Sequence, residues 1–350
     1  MIPDRSARIP YVDKMKRIEK SGKVEAPLRC VAVLGPTATG KTKLGVHLAR
    51  LFDGEIVSVD SRQVYRGMDI GTGKDLQEYG EGVDAVRTHL IDCVEPTDEY
   101  NLHRFTADAA RALRAIAAHQ KLPFLVGGTP LYLNALLMQY EMPGGAPDPV
   151  LRDRLTEKST PELLDRLRTG APDLFERIDK SQRKRIIRAV EIAETRTGRA
   201  QEIAATVPPL KPVVLGVYYE RREVHRRIEE RLDRRLKSGL IEEVARLHEE
   251  GVSWERLEFL GLEYRYASYF LQGRITAEDL RETLLRRIRR FCKSQDVWFR
   301  KMERDGIVIH WIPHGDRVQA AKLVKRFLDD EPLPAPEIRL SRIHYGPRSG

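Results

Sequence analysis

Residues 35–42, with the sequence GPTATGKT, contain a pattern that predicts phosphate chemistry. Two glycines enclose four residues and are followed by Lys41 and Thr42, which matches the phosphate-binding pattern G-x-x-x-x-G-K-[ST] (P-loop). Glycines let several backbone N–H groups turn toward one phosphate cluster, Lys41 adds a full positive charge, and the Thr42 hydroxyl suits Mg²⁺. The predicted polyphosphate site comprises Gly35, Pro36, Thr37, Ala38, Thr39, Gly40, Lys41 and Thr42, with Mg²⁺ as a cofactor at Thr42. The pattern alone does not distinguish a phosphoryl donor from a diphosphate leaving group.

A carboxylate follows a second apolar segment, because Asp60 comes directly after the predicted strand Glu55–Val59. The carboxyl ends of parallel strands meet at one edge of a sheet, so Asp60 is expected beside the P-loop. There it could contact a Mg²⁺-bound water, bind a ribose or act as a general base. The alternative is a helix N-cap.

Gly127, Gly128 and Thr129 follow the predicted strand Leu122–Val126. Two glycines at a strand end permit a ligand to approach the backbone closely, and Thr129 adds a hydroxyl. The alternative is a plain turn with Thr129 as a helix N-cap. Hydrolytic P-loop enzymes often carry an acidic residue at the end of such a strand, and its absence here is mild evidence against ATP hydrolysis.

Short apolar segments alternate with amphipathic ones along most of the chain, which is typical of an α/β fold. We therefore expect a doubly wound, P-loop NTPase-like parallel sheet flanked by helices. The predicted strands are Leu28–Leu34, Glu55–Val59, Thr88–Cys93, Leu122–Val126, Val213–Tyr218 and Ile307–Ile312.

The alternation stops at the Pro/Gly-rich segment PGGAPDP, residues 143–149. No strand signal returns until Val213, so residues 143–205 are predicted to form an inserted helical domain. The predicted core comprises residues 28–142 and 206–330, and residues 1–27 and 331–350 are predicted to be flexible tails.

The chain is basic, with 61 Lys and Arg against 52 Asp and Glu and a net charge of +9. This excess fits either a polyanionic partner or simply a basic, soluble surface. Most arginines of the predicted helix Glu220–Leu236 are expected on a solvated face with i,i+4 ion pairs. The basic predicted helix Thr276–Arg300, which has aromatic neighbours, suits a nucleic-acid backbone.

The three cysteines, Cys30, Cys93 and Cys292, are far apart, so neither a zinc site nor a disulfide framework is predicted. No segment has the pattern of a secretory signal or the length of a membrane span. We expect a cytoplasmic protein with no membrane partner.

Three segments together resemble the tRNA dimethylallyltransferases (tRNA isopentenyltransferases): GPTATGKT at 35–42, VDSRQVYRGMDIGTGK at 59–74 and VGGTPLYLNAL at 126–136. KRIIRAVEI at 184–192 and residues 289–300 also fit, so the resemblance covers about residues 28–312. It implies transfer of a dimethylallyl group from dimethylallyl diphosphate to the N6 amine of the adenosine 3′-adjacent to the tRNA anticodon. The P-loop would then hold a diphosphate leaving group rather than ATP.

The resemblance also implies roles for individual residues. The catalytic residues would be Asp60, Thr129, Lys41 and Thr42. Asp60 would accept the amine proton, and Thr129 would contact the diphosphate near the breaking bond. Arg221 and Arg227 would hold the outer diphosphate oxygens. The implied RNA contacts are Asp60, Ser61, Arg62, Gln63, Lys184, Arg185, Arg188, Arg289, Lys293 and Gln295.

The chain departs from the family pattern at Glu263, Ser294 and Val297, where a glycine, a basic residue and a threonine are usual. These positions lie on the expected RNA side, so other functions stay open. They are an isopentenyltransferase acting on a free adenine nucleotide or another RNA, a P-loop small-molecule kinase, and a non-catalytic RNA-binding protein with this fold. We expect a monomer.

Overall fold

The computed structural model describes residues 26–82, 85–139, 148–195 and 207–343. Within these ranges, six strands form one sheet in which every pairing is parallel. Numbered in chain order, they are β1 (Leu28–Leu34), β2 (Gly54–Ser58), β3 (Thr88–His89), β4 (Leu122–Gly127), β5 (Leu210–Tyr218) and β6 (Ile309–Pro313). Their spatial order is β3-β2-β4-β1-β5-β6. The predicted parallel α/β fold is confirmed.

Helices cover both faces of the sheet and build the side that faces its carboxyl edge. The first seven are α1 (Lys41–Leu51), α2 (Leu102–Ala118), α3 (Pro130–Leu137), α4 (Pro149–Glu157), α5 (Thr160–Gly170), α6 (Pro172–Arg177) and α7 (Arg183–Thr195). The others are α8 (Arg221–Lys237), α9 (Leu240–Glu249), α10 (Trp254–Leu260), α11 (Leu262–Leu271), α12 (Ala277–Arg304) and α13 (Arg317–Leu328). Of the described helices, none combines the length and apolar character that crossing a bilayer requires.

Alternate residues of β1 belong to different halves of the core. Ala32 and Leu34 pack in the cluster that contains α2 and α3. Val31 and Val33 pack in the cluster that contains α1 and α13. A strand that is buried on both faces requires helices on both, as in a doubly wound sheet.

The insertion is helical, as predicted, and helices α4–α7 enclose an apolar cluster of their own. Its buried members include Leu155, Leu163, Leu167, Ile186 and Val190. Most of the predicted linker at 143–149 and the end of the insertion at 196–205 lie outside the described residues, as do residues 1–25.

Most predicted strand ends shift by three residues or fewer in the structure, and two predictions are wrong by more. β3 ends at His89 rather than Cys93, because Leu90 and Asp92 have positive φ values of 63° and 52°, which interrupt a strand. The chain turns there, and Cys93 N–H donates to the Val64 carbonyl at 2.8 Å.

The second correction concerns the predicted C-terminal tail, of which residues 331–343 are described. Leu340 is buried against the core. The Leu340 and Ser341 N–H groups donate to the Glu303 carboxylate at 3.1 and 2.6 Å. The predicted flexibility therefore does not hold for this part of the tail.

Candidate active site

An open pocket of about 960 Å³ lies at the carboxyl edge of the sheet. Its lining brings together three predicted segments: part of the P-loop, residues 60–63 after β2, and residues 128–129 after β4. Residues 69–73 and 75–78 and helices α8, α10, α11 and α12 complete the wall. Thr37, Ala38, Gly40, Lys41 and Thr42 line the pocket, whereas Gly35, Pro36 and Thr39 do not.

The P-loop backbone is fixed from both ends. Gly40 adopts a positive φ of 80° immediately before α1, which a glycine accommodates without strain. At the other end, a Cβ on Gly35 would lie 2.8 Å from Thr39 Oγ1 and 3.2 Å from the Val217 carbonyl. Lys41, Thr42 and Lys43, the first residues of α1, line the pocket, and the free N–H groups of a helix N-terminus favour an anion there.

Gln295 connects the P-loop to the end of β4. Its Oε1 accepts from Thr37 N–H at 2.9 Å, and its Nε2 donates to the Gly128 carbonyl at 2.6 Å. Gln295 is 3% exposed, which does not fit the predicted contact with an RNA phosphate. Its place in the interior instead holds two pocket segments at a fixed separation.

Gly128 allows Lys41 to lie close to the backbone, whereas the glycine pair was predicted to admit a ligand there. A Cβ at Gly128 would lie 2.9 Å from Lys41 Cε and 3.0 Å from Lys41 Nζ. Burial lowers the pKa of Lys41 to about 8, an effect that nearby Asp60 opposes and Arg231 and Arg235 reinforce. An anion at this position would compensate Lys41 for its lost hydration and for the repulsion from the two arginines.

Helix α8 contributes a row of arginines to the pocket, and this corrects the prediction of a mostly solvated helix face. Arg227 Nε donates to the Ala38 carbonyl at 2.9 Å, and Arg231 Nη2 donates to Thr37 Oγ1. Arg234 and Arg235 also line the pocket. Spacing by four places Arg227, Arg231 and Arg235 along one side of the helix. This i, i+4, i+8 spacing was the signal in the sequence that could have identified Arg231 and Arg235.

Arg221 does not join this row. It lies six residues before Arg227, which is about 240° around an α-helix. It lines a second cavity of about 230 Å³, together with Arg289 and Lys293. The predicted pairing of Arg221 with Arg227 on the diphosphate is therefore not supported by their positions.

Asp60 and Thr129 are joined through the backbone between β2 and β4. Ser61 N–H donates to Thr129 Oγ1 at 3.1 Å, and Thr129 N–H donates to the Val59 carbonyl at 3.2 Å. Arg62 N–H donates to Asp60 Oδ1 at 2.9 Å, so the carboxylate caps the turn that carries it. Because Thr129 Oγ1 accepts a hydrogen bond, its own proton remains available to a ligand.

Comparison with known proteins identifies the family. The family profile described as IPP transferase matches residues 63–302, which is more than half of the chain. The chain belongs to the IPP transferase family. The profile described as isopentenyl transferase matches residues 28–93.

Relatives in the IPP transferase family match most of the chain. tRNA dimethylallyltransferase 2 of Trichlorobacter lovleyi is 48% identical over 295 residues, which are 84% of this chain and 95% of that protein. tRNA dimethylallyltransferase 1 of Geotalea uraniireducens is 44% identical over 297 residues, which are 85% of this chain and 96% of that protein. Among solved structures, the full-length tRNA isopentenylpyrophosphate transferase from Bacillus halodurans superposes with a TM-score of 0.62 at 32% identity. It covers 86% of this chain and 97% of that one.

The wall formed by residues 69–75 of this IPP transferase is anchored from behind by Glu243. The Glu243 carboxylate accepts from the N–H groups of Asp69, Ile70 and Gly71 at 2.9, 2.7 and 3.0 Å. It also accepts from the Tyr264 hydroxyl at 2.6 Å. A buried carboxylate with four donors fixes this segment rigidly.

Three more polar residues, Lys74, Gln63 and Glu263, lie in or beside this wall. Lys74 is fully buried and pairs with Asp92 and, at 2.6 Å, with Asp69. Gln63, predicted to touch the acceptor base, is 9% exposed, and its Nε2 donates to the Gly73 carbonyl at 3.0 Å. Glu263, where the chain departs from the family pattern, pairs with Arg235 at 3.0 Å.

The predicted RNA contacts on the insertion lie in different surroundings. Lys184 Nζ lies 5.7 Å from the ring centre of Phe259, at the pocket rim. Arg185 is exposed, with Nη1 3.8 Å from Asp179. Arg188 forms an ion pair with Glu191 at 2.9 Å. Of these three residues, Lys184 is the one that lies beside a side chain of the pocket lining.

The donor atoms present fit Mg²⁺. Among the described residues, no group of three His, Cys, Asp or Glu side chains could hold a metal by itself. Mg²⁺ does not need such a group, because it binds through one or two protein oxygens, waters and substrate phosphates. Thr42 lines the pocket beside Lys41, and its hydroxyl is the protein oxygen that would hold Mg²⁺.

Proposed function

We propose that this chain transfers a dimethylallyl group from dimethylallyl diphosphate to the N6 amine of the adenosine 3′-adjacent to the anticodon of tRNA, with release of diphosphate. The proposal rests on one observation. The cations Lys41, Arg227 and Arg231 line the P-loop side of the same pocket that Asp60 and Thr129 line. One pocket therefore offers a cage for an anionic leaving group and a carboxylate for an amine.

The diphosphate end uses the P-loop. As the allylic C–O bond breaks, its electron pair stays on the diphosphate, so negative charge grows there. The N–H groups at the start of α1, Lys41, Arg227 and Arg231 stabilise that charge more strongly in the transition state than in the bound substrate. Mg²⁺, held by Thr42 and the phosphates, would add further charge stabilisation.

Thr129 acts at the junction of the two substrates. Its Oγ1 already accepts from Ser61 N–H, so its hydroxyl proton can be donated to the bridging oxygen of the leaving group. This donation lowers the charge on the oxygen as it separates from the allyl carbon.

Asp60 serves the acceptor amine. A neutral adenine amine is too weak an acid for a carboxylate to ionise in advance. In the transition state, the bond between N6 and the allyl carbon forms first and the nitrogen becomes positive. Asp60 then takes a proton from that nitrogen. The Asp60 carboxylate is held for this role by the N–H of Arg62.

The relatives named tRNA dimethylallyltransferase support RNA as the acceptor. The acceptor adenine must leave its stack to reach Asp60 inside the pocket. The net charge of +9 and the contact of Lys184 with the pocket rim support a polyanionic acceptor that touches the insertion as well as the core.

The decisive experiment incubates the protein with dimethylallyl diphosphate, Mg²⁺ and an anticodon stem-loop RNA, and analyses the nucleosides by mass spectrometry. We expect one dimethylallyl group on the adenosine next to the anticodon, and none on an RNA that carries purine riboside there. Modification of AMP but not of RNA would favour a free-nucleotide transferase. Transfer of the γ-phosphate from ATP to a small molecule would favour a kinase.

A further inference from the structure

Phe259 is an exposed aromatic residue at the rim of the pocket. It belongs to α10, lines the pocket, and is 53% exposed. Covering a large apolar ring is favourable, so an exposed ring at the rim of a pocket can contribute to the binding of a ligand.

Three cations surround the ring. The centroid of Phe259 lies 5.4 Å from Arg62 Cζ, 5.6 Å from Arg256 Cζ and 5.7 Å from Lys184 Nζ. They come from three separate segments: the turn after β2, α10 itself and the insertion. An aromatic surface bordered by positive charge suits a nucleobase that is attached to phosphates.

The backbone that carries the ring is held in place by its surroundings. Arg62 Nη2 donates to the Phe259 carbonyl at 3.1 Å. Arg256 Nε donates to the Pro96 carbonyl at 2.6 Å, which fixes α10 to the loop before α2. Because this backbone is already fixed, the segment need not be ordered when a ligand covers the ring.

Arg62 also ties Phe259 to the acceptor end of the pocket. The N–H of Arg62 holds the Asp60 carboxylate, while its side chain holds the Phe259 backbone. If the base of one nucleotide enters the pocket toward Asp60, the adjacent nucleotide of the RNA therefore lies near Phe259.

We infer that Phe259 is a nucleobase-stacking site for a nucleotide that flanks the acceptor adenosine. Extruding the acceptor adenine removes a stacking partner from its neighbours. The Phe259 ring replaces that partner, while Arg62, Lys184 and Arg256 attract the adjoining phosphates. This inference rests on the proposed function.

The test compares Phe259→Ala and Phe259→Trp with wild type on three stem-loops: the intact RNA and two RNAs abasic at the 5′ or the 3′ neighbour of the acceptor. On intact RNA, Phe259→Ala is expected to lower kcat/KM for RNA about 5- to 150-fold, the range for loss of one stacked base. Phe259→Trp should retain most of the activity. On one of the two abasic RNAs, wild type and Phe259→Ala should be equally slow, because the base that stacks is already absent.

Phe291→Ala is the matched control. Phe291 is 47% exposed and lines the same pocket from α12, one helical turn before Gln295, which contacts the P-loop. Its replacement should lower activity by the same factor on all three RNAs, and melting temperatures check that each variant is folded.

Two results would overturn the inference: an unchanged kcat/KM of Phe259→Ala on intact RNA, or an equal loss on all three RNAs. A wild-type protein that modifies none of the RNAs would instead contradict the proposed function. The two failures can therefore be told apart.

Discussion

Replacing Arg231 by glutamine tests the diphosphate cage directly, because Arg221 on the same helix offers a matched control. Arg231 lines the P-loop pocket and donates to Thr37 Oγ1. Arg221 lines the separate cavity of about 230 Å³. Both substitutions remove one positive charge from α8, so a difference between them reports position rather than net charge.

The magnitude follows from the type of contact. A hydrogen bond to a charged partner contributes about 1.5–3 kcal/mol, and each 1.36 kcal/mol is tenfold in rate. Arg231→Gln should therefore lower kcat/KM for dimethylallyl diphosphate about 10- to 150-fold. Part of the loss should fall on kcat, since the charge on the diphosphate grows as the bond breaks. Arg221→Gln should stay within about 3-fold of wild type.

The assay varies dimethylallyl diphosphate at saturating RNA, and a melting experiment with inorganic diphosphate measures binding alone. Stabilisation by a ligand equals RT ln(1 + [L]/Kd), so Arg231→Gln should show a smaller shift in melting temperature than wild type or Arg221→Gln. Equal losses in the two variants, or a larger loss in Arg221→Gln, would refute the assignment of Arg231 and restore the prediction made from the sequence.

Three further predictions concern single carboxylates. Asp60→Asn keeps an oxygen that accepts from Arg62 N–H, but the amide cannot take a proton. The rate of single-turnover transfer with excess RNA should therefore fall ~10²–10⁴-fold, while the affinity for diphosphate is unchanged. Near-normal transfer would exclude Asp60 as the base. Glu243→Ala leaves three backbone N–H groups without their acceptor, so urea unfolding should show a loss of at least about 3 kcal/mol, with Glu243→Gln less affected. Burial raises the pKa of Asp296 from 3.8 to about 6, so the folded state holds its proton more tightly than the unfolded state and stability falls as pH rises through that window. Asp296→Asn should therefore raise the free energy of unfolding by roughly 1–3 kcal/mol at pH 7.5 and leave it unchanged near pH 3.5, and an equal effect at both values would contradict this reasoning.

The sheet and the P-loop could be predicted from sequence because their signals are local. Each buried strand is a short apolar segment, and the glycines at 35, 40 and 128 mark positions where a side chain would be strained or would collide. Local patterns could not place Gln295, whose two hydrogen bonds join segments 258 and 167 residues away. The same holds for Leu340, which packs in the apolar core while Glu303, a residue of α12, accepts from its N–H and from that of Ser341.

The charges of the site show most clearly why sequence alone stops short. Lys74 and Arg231 are both basic and close to the pocket, yet Lys74 lies between two carboxylates, whereas the described hydrogen bond of Arg231 goes to the hydroxyl of Thr37. A buried cation paired with carboxylates is needed to neutralise them, because removing one partner of such a pair is strongly destabilising, and its charge is not offered to a ligand. A cation that faces the pocket beside Lys41 raises the free energy of the empty site and lowers the free energy of the complex with an anion. The role of a basic residue therefore depends on whether it faces carboxylates or the pocket. Arg235 illustrates the intermediate case: Glu263 neutralises it in part, so this departure from the family pattern adjusts the charge of the pocket wall. We therefore expect donor binding to depend on Arg227 and Arg231 more than on the other arginines of α8.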